Sequence, residues 1–492
     1  MTLADWIFTD RIGERDKTVL ATFSGQYSLS DIENGMERYI SLLRDVRDVK
    51  RRKVAILVPQ IASYLQLFLA VNHLEGVVVP LSWQLRKDDL SALLDFLDPD
   101  VIFTINEYQG FSFSELITKW AAQTGKRTTV LVSEDGSEWS TPYSYPGEER
   151  PRVEEPADVI ACSSGSTGLP KGIMVDNGYL IRNGAALASM LQVNERDRLF
   201  ENIHPSVLHG LAWLMAGLKT GYLTLAPETF DVPRLVQLFR EMKPTKVSTT
   251  PSLFRNLYTF AKGMKALDGF NSLEVTVLGG EMVSEELIDT VSGDLGCRLV
   301  SFYGASEAGL LMNTASDLRE SIDWEVCEGI DHRIVDGEIM FKIPKNFLGY
   351  YKRPDLTKEI IDEEGWYSSG DLAELNERKK IVIKGRKKDL IKKGGQSIIP
   401  GEIERVIADH PNVKQAVVVG VPHPVMGEKL VGFIVRDSEV SGPKLKKFCA
   451  NRIAAYKVPD EYLFLDEIPT NNGKADRMVL RKMAVSPEGS KL

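Results

Sequence analysis

The sharpest chemical feature of the chain is a run of glycines and hydroxyls, Ser163-Ser164-Gly165-Ser166-Thr167-Gly168, closed by Leu169-Pro170-Lys171-Gly172. It follows the apolar run Asp158–Cys162, which reads as a strand. Such a turn can aim backbone N–H and hydroxyl donors at phosphate oxygens, and a lysine adds positive charge. It is not a Walker A loop, because Leu169 and Pro170 separate Gly168 from Lys171 where that motif needs Gly-Lys-Ser/Thr in succession. In isolation, a plain Gly/Ser surface loop would read the same way.

Four further groups carry candidate chemistry. Tyr303-Gly304-Ala305-Ser306-Glu307 follows the apolar run Val300–Tyr303, so Glu307 sits at a strand end, the edge where α/β sheets bind ligands. Gly365-Trp366-Tyr367-Ser368-Ser369-Gly370-Asp371 ends in a carboxylate able to accept from two vicinal hydroxyls at once. Gly385-Arg386-Lys387-Lys388-Asp389 opens a basic stretch that runs through Gly394-Gly395 to Gly401-Glu402-Ile403-Glu404. Asn472-Gly473, a two-residue turn signal, precedes Lys474 in Asn472-Gly473-Lys474-Ala475-Asp476-Arg477. Taken singly, Asp371, Arg386 and Lys474 would be ordinary solvated charges, and Tyr303 an ordinary core tyrosine.

The five signatures, in this order, resemble those of the adenylate-forming superfamily: acyl-CoA synthetases, peptide-synthetase adenylation domains and firefly luciferases. A stand-alone acyl-CoA synthetase is the nearest likeness. The resemblance implies MgATP bound by the loop from Ser163 to Lys171, with Thr167 and Glu307 at Mg²⁺. It implies adenine against Tyr303, Gly304 and Ser306 and beside the turn Gly279-Gly280-Glu281, and ribose on Asp371 with Arg386 reaching ribose or phosphate from the other side. Lys474 is then the catalytic cation shared by substrate carboxylate and α-phosphate, and Lys388 the hinge about which a small domain rotates. Gly394 and Gly395 would pass the pantetheine arm of coenzyme A, and His209 with Gly279 would line the acyl pocket. His204-Pro205-Ser206-Val207-Leu208-His209-Gly210 matches the family's histidine segment only at shorter spacing, so a core or surface role for His209 stays open. The Phe-Asp pair of amino-acid-activating members is absent from that segment, which weighs against an amino-acid substrate.

The implied activity is conversion of a carboxylic acid to its acyl-AMP and then to a coenzyme A thioester. The alternatives are loading of a separate phosphopantetheine carrier protein, a luciferase-like oxidative second step, or a nucleotide or acyl-AMP sensor without catalysis. The chain ends soon after Arg477, so a fused carrier is not expected.

These groups need a large α/β frame. Val54–Pro59, Val77–Leu81, Val101–Ile105 and Thr129–Val132 read as strands, with helical patterns over Ala62–Glu75 and Lys87–Leu97 between them. That alternation predicts mostly parallel sheets with both faces covered. The stretch from Ser133 to Ala157, rich in Glu, Ser and Pro, predicts a surface loop. After Gly385 a helix at Gly401–Asp409, strands at Ala416–Val421 and Leu430–Val435 and a helix near Pro443–Arg452 predict a compact α+β unit. The expected domains are therefore 1–387, large and α/β, and 388–492, small and mobile.

Composition bounds the rest. The chain has 492 residues, 43% hydrophobic and 26% charged, with ample material for a large core. A net charge of −9 argues against a dedicated nucleic-acid binder. Cys162, Cys297, Cys327 and Cys449 form no close pair, as expected of reduced thiols in the cytoplasm. Neither a secretory signal nor an apolar stretch long enough for a membrane span is visible. The last residues, Ser490-Lys491-Leu492, spell a peroxisomal address if the source is a eukaryote.

Overall fold

The structure, a computed structural model, describes residues 2–9, 11–140, 142–163, 171–280, 283, 285–314, 316–344, 347–394, 396–471 and 474–485. By its contacts the chain divides into two compact units, Met1–Ile330 with Lys342–Gly365, and Asp331–Phe341 with Trp366–Leu492.

The first unit is built on two sheets. One is eight-stranded, in the order Phe347–Tyr350, Lys171–Val175, Val159–Ser163, Val77–Pro80, Lys53–Leu57, Val101–Ile105, Thr128–Ser133, Tyr143–Tyr145. Its inner strands are parallel and apolar on both faces, as strands covered on two sides must be. Val54 and Ile56 point into one core, Ala55 and Leu57 into another. The stretch expected to be pure loop contributes the edge strand Tyr143–Tyr145, paired antiparallel to Thr128–Ser133. Its residues are half-buried or exposed, so no apolar alternation marks it.

The second sheet carries the candidate site. We label its relevant strands β1 (Arg198–Glu201), β2 (Lys246–Thr249), β3 (Val275–Gly279), β4 (Arg298–Ala305) and β5 (Gly309–Thr314). β1 to β4 are mutually parallel neighbours in that order, and β5 returns antiparallel to β4. One face, with Leu199, Val277 and Val300, packs in the same core as helices α1 (Asn177–Leu191) and α2 (Leu208–Thr220). The opposite face, with Phe200, Val247, Leu278 and Leu299, joins a separate core with Phe239 and Phe254. Helices Leu29–Val46 and Ile61–His73 contribute to the same core as α1 and α2, which also takes one face of the eight-stranded sheet. Ile61–His73 is buried nearly all round, which fits a helix enclosed on every side.

The second unit has two parts. Strands Asp331–Val335, Glu338–Lys342, Trp366–Leu375 and Ile381–Arg386 lie side by side in that order. A five-stranded sheet follows, in which the long strands Val413–His423 and Gly427–Arg436 pair antiparallel. Helices Pro400–Ala408 and Gly442–Ala450 share a core with that sheet through Ile403, Ile407, Leu445 and Cys449. The contact division thus falls at Gly365, ahead of Lys388, because the hairpin ending at Arg386 pairs with the strands from Asp331 onward. Among the described residues no helix is long and apolar enough to cross a membrane.

Candidate active site

In the first unit the candidate residues gather at the carboxyl ends of the parallel strands. Glu307 lies in the turn between β4 and β5, and α1 holds that turn with three residues on one helical face. The Tyr179 hydroxyl donates to the Ser306 carbonyl at 2.9 Å, and Arg182 Nη2 donates to the Ala308 carbonyl at 2.9 Å. Asn183 Oδ1 accepts from the Leu310 N–H at 2.8 Å, while its Nδ2 donates to Tyr179 O at 2.8 Å. Spacing of three and four residues puts such side chains together on a helix. Gly309 completes the turn with φ of 74°, and a Cβ there would lie 1.9 Å from Asn183 Oδ1. Only glycine fits so close an approach in the left-handed region.

The Tyr350 hydroxyl donates to Glu307 Oε1 at 2.6 Å. Lys171 Nζ stands 5.3 Å from the centroid of the Tyr350 ring, within cation–π range. Burial, and then the Glu307 carboxylate, raise the Tyr350 phenol well above its ordinary pKa, so it stays a donor. Lys171, Tyr350 and Glu307 therefore form one polar line. Sequence reasoning missed Tyr350, as no spacing links it to Glu307.

Lys171 opens the strand antiparallel to Val159–Ser163, with Ser163 and Lys171 in register. Ser164, Gly165, Ser166, Thr167 and Gly168 lie outside the described residues, as does Glu281. Tyr303 packs edge-on to Trp324 with ring centroids 6.3 Å apart, and Gly304 follows it at an irregularity in the β4–β5 ladder.

Gly279 closes β3 opposite Phe302 of β4, and a Cβ on Gly279 would lie 2.0 Å from the Phe302 ring. Gly280 follows with φ of 80°. His209 stacks on the same Phe302 ring, with centroids 4.7 Å apart and planes at 17°. His209 Nε2 accepts from Trp213 Nε1 at 3.1 Å, one turn along α2. That bond assigns the imidazole proton to Nδ1. Burial lowers the His209 pKa to about 4, so the ring is neutral at physiological pH. Gly279 and His209 are thus brought together through Phe302, which sequence reasoning did not name.

In the second unit, Asp371 and Arg386 face each other across a ladder, with Arg386 Nε 2.6 Å from Asp371 Oδ1. Asp371 is 3% exposed, and its N–H donates to Ser369 Oγ at 3.1 Å. Arg386 meets the carboxylate directly here, a contact that the expectation of a ribose or phosphate contact did not include. Lys388 lies in a single turn of 3₁₀ helix, Lys387–Asp389. Lys387 Nζ donates to Glu338 Oε2 at 2.7 Å, and Asp389 Oδ2 lies 3.7 Å from Arg477 Nε. The exposed Lys388 is thus flanked on each side by an ion pair.

Lys474 begins a short strand in register with Asn471; Asn472 and Gly473 lie outside the described residues. Arg477 follows it, donating to the Val418 carbonyl at 2.6 Å and pairing with Glu404 at 2.8 Å. Sequence reasoning gave Arg477 no role, yet it anchors the segment carrying Lys474. Gly394 takes φ of 57°, and Gly395 lies outside the described residues, as do Ser490, Lys491 and Leu492.

The Glu307 carboxylate and the neighbouring Tyr350 hydroxyl are hard oxygen groups of the kind that suits magnesium. Among the described residues no cluster of three His, Cys, Asp or Glu side chains could hold a metal.

Family models match two parts of the chain: the AMP-binding enzyme model covers residues 11–351, and the AMP-binding enzyme C-terminal domain covers 402–474. The chain is 28% identical over 456 residues to a fatty acid–[acyl-carrier-protein] ligase, ScoC, of Streptomyces coeruleorubidus, covering 87% of this chain and 86% of that one. It is 28% identical over 444 residues to a putative acyl–CoA ligase, YdaB, of Bacillus subtilis (strain 168), covering 85% and 86%. ATP-bound MatB from Rhodopseudomonas palustris superposes with a TM-score of 0.87 over 98% of this chain and 99% of that one. At 23% identity the last match speaks for the fold alone.

Proposed function

Because the chain belongs to the AMP-binding enzyme family, we propose that it activates a carboxylic acid as acyl-AMP and transfers the acyl group to coenzyme A. The single observation that carries this reading is the line Lys171–Tyr350–Glu307 at the carboxyl edge of the sheet. It sets a cation, a phenol donor and a carboxylate where a metal-bound triphosphate would lie.

In the first step a carboxylate oxygen attacks the α-phosphorus of ATP in line and pyrophosphate leaves. In the second the coenzyme A thiol attacks the carbonyl carbon, AMP leaves and the thiol proton is lost. Glu307 and Thr167, with the phosphates, would hold magnesium, whose positive charge would offset that of the departing pyrophosphate. The chain's own groups position and stabilise: the Ser163–Lys171 loop cradles phosphate, Tyr303 and the Gly279–Glu281 turn flank adenine, and Asp371 accepts from the ribose hydroxyls. Arg386 holds the Asp371 carboxylate in place. Lys474 supplies a mobile positive charge between carboxylate and α-phosphate, where it is worth most in the transition state.

Lys388 serves as the hinge between 1–387 and 388–492, alternating presentation of Lys474 and of the Gly394-Gly395 loop. The flanking pairs Lys387–Glu338 and Asp389–Arg477 hold the chain on either side, so torsion concentrates at Lys388. A carrier-protein acceptor is the second reading, favoured by the ScoC relative.

Purified protein is incubated with MgATP, coenzyme A and a panel of acids, and AMP and acyl products are read by mass spectrometry. An acyl-CoA is expected. Acyl-AMP without thioester would overturn the coenzyme A acceptor. Lys474→Ala should abolish acyl-AMP formation with ATP binding retained, and near-wild-type adenylation would remove Lys474 from the catalytic role.

A further inference from the structure

Beside the Gly279–Phe302–His209 group lie two buried polar side chains that the adenylation chemistry does not use. Glu201 is the last residue of β1 and 1% exposed; Ser248, its ladder partner on β2, is also 1% exposed. Glu201 Oε1 accepts from the Ile203 N–H at 2.8 Å. Oε2 and the Ser248 hydroxyl reach no hydrogen-bond partner among the described residues. Buried polar groups are seldom left so, because each orphan costs on the order of 1–3 kcal/mol.

The register fixes where they face. Ser248 pairs with Val277, and Val277 with Val300; two residues further on, Gly279 pairs with Phe302. Strand side chains alternate with period two, so Glu201, Ser248, Gly279 and Phe302 share one face. That face packs under α2, whose His209 lies on Phe302. Tyr222 is a titratable group close to Glu201, and its hydroxyl donates to the Trp213 carbonyl at 2.8 Å. Burial pushes the Glu201 carboxyl to about 8, against downward pulls from the Ile203 amide and from the Ser248 hydroxyl, which lies close enough to act on the carboxyl yet outside hydrogen-bond geometry. At neutral pH the group is therefore mostly an uncharged acid.

We propose that Glu201 and Ser248 form the polar floor of the acid-binding pocket and select a carboxylic acid whose far end carries a hydroxyl group. The inference rests on the ligase reading above and names its substrate class. With Oε1 accepting from the Ile203 N–H, the proton of the neutral acid sits on Oε2, so a tail hydroxyl would accept from Glu201 Oε2–H and donate to the Ser248 oxygen. A plain alkyl or aryl tail would bury both groups unpaired. Sites built to hydrogen-bond a substrate group reject the analogue lacking it far more strongly than apolar pockets reject a missing methylene.

The test uses matched pairs: benzoate with 4-hydroxybenzoate, cinnamate with 4-hydroxycinnamate, and hexanoate with 6-hydroxyhexanoate. Acid-dependent AMP release with coenzyme A gives kcat/KM for each. In at least one series the substituted acid should lead by about 100-fold or more. Glu201→Leu should cut that ratio at least about tenfold while raising turnover of the plain acid, and Ser248→Ala should cut it less. Because the ratio is taken within one variant, a general loss of folded protein cancels. Activity with equal preference in every pair, or an unchanged ratio in Glu201→Leu, overturns the polar floor alone. Absence of AMP release with every acid overturns the ligase reading first.

Discussion

Replacing Glu201 by glutamine keeps the shape of the side chain and removes its proton equilibrium. The ordinary carboxyl value of 4.5 rises to about 8 in the folded protein, with burial as the largest cause. The folded state therefore binds this proton more tightly than the unfolded chain does. Stability from the group is complete below the unfolded value and is lost as pH rises through the folded one. Between pH 5 and pH 8 the difference spans about three pH units, or roughly 4 kcal/mol at about 1.4 kcal/mol per unit. Glutamine lacks that slope. Thermal unfolding of wild type and Glu201→Gln, followed at pH 5 and pH 8, should show the variant gaining on wild type by several degrees as pH rises. Tyr222, beside Glu201, is held well above its usual range and stays neutral throughout this window. His204 and His209, both depressed to about 4 by burial, are neutral across it in both proteins. Parallel curves for the two proteins would refute a buried, uncharged Glu201.

Three further outcomes follow from the geometry. Gly279→Ala drives a methyl into the Phe302 ring and displaces the stacked His209; the KM for the acid should rise about tenfold or more with that for ATP little changed, as steady-state kinetics would show. Tyr350→Phe removes the 2.6 Å bond to Glu307; acyl-AMP formation should slow by roughly 10- to 100-fold and need more magnesium, read by pyrophosphate exchange across a magnesium titration. Lys388→Pro fixes φ at the proposed hinge; single-turnover assays should find the thioester step impaired more than adenylation, and equal loss would argue against the hinge.

Much of the frame was legible because periodicity carries it. The predicted helix Lys87–Leu97 and strand Val101–Ile105 coincide with those observed, and the strand and helix expected around Val54 and Ala62 are displaced by one or two residues. The C-terminal helix at Gly401–Asp409 and the strands near Val418 and Ile434 are likewise present, the strands longer than expected. What periodicity lacks is a partner's address. The hairpin Trp366–Arg386 pairs beside Glu338–Lys342, and nothing local in its sequence says so. The edge strand Tyr143–Tyr145 has no buried face to imprint a pattern.

The same limit governs the site. Motif residues were found as isolated chemical types, but the residues that hold them are remote in sequence: Tyr179, Arg182 and Asn183 for the Glu307 turn, Phe302 for His209, Arg477 for the segment behind Lys474. Glu201 shows why such residues stay hidden. In Arg198-Leu199-Phe200-Glu201 it alternates as a strand-end glutamate should, and glutamates are rarely buried without a partner. Only the ladder, by setting it beside Ser248 on the face under α2, turns it into a neutral acid with an unmet oxygen. A polar group kept at that expense, on the sheet face shared with Gly279 and Phe302, is met in this proposal by a hydroxyl-bearing tail, whose oxygen accepts from the neutral acid.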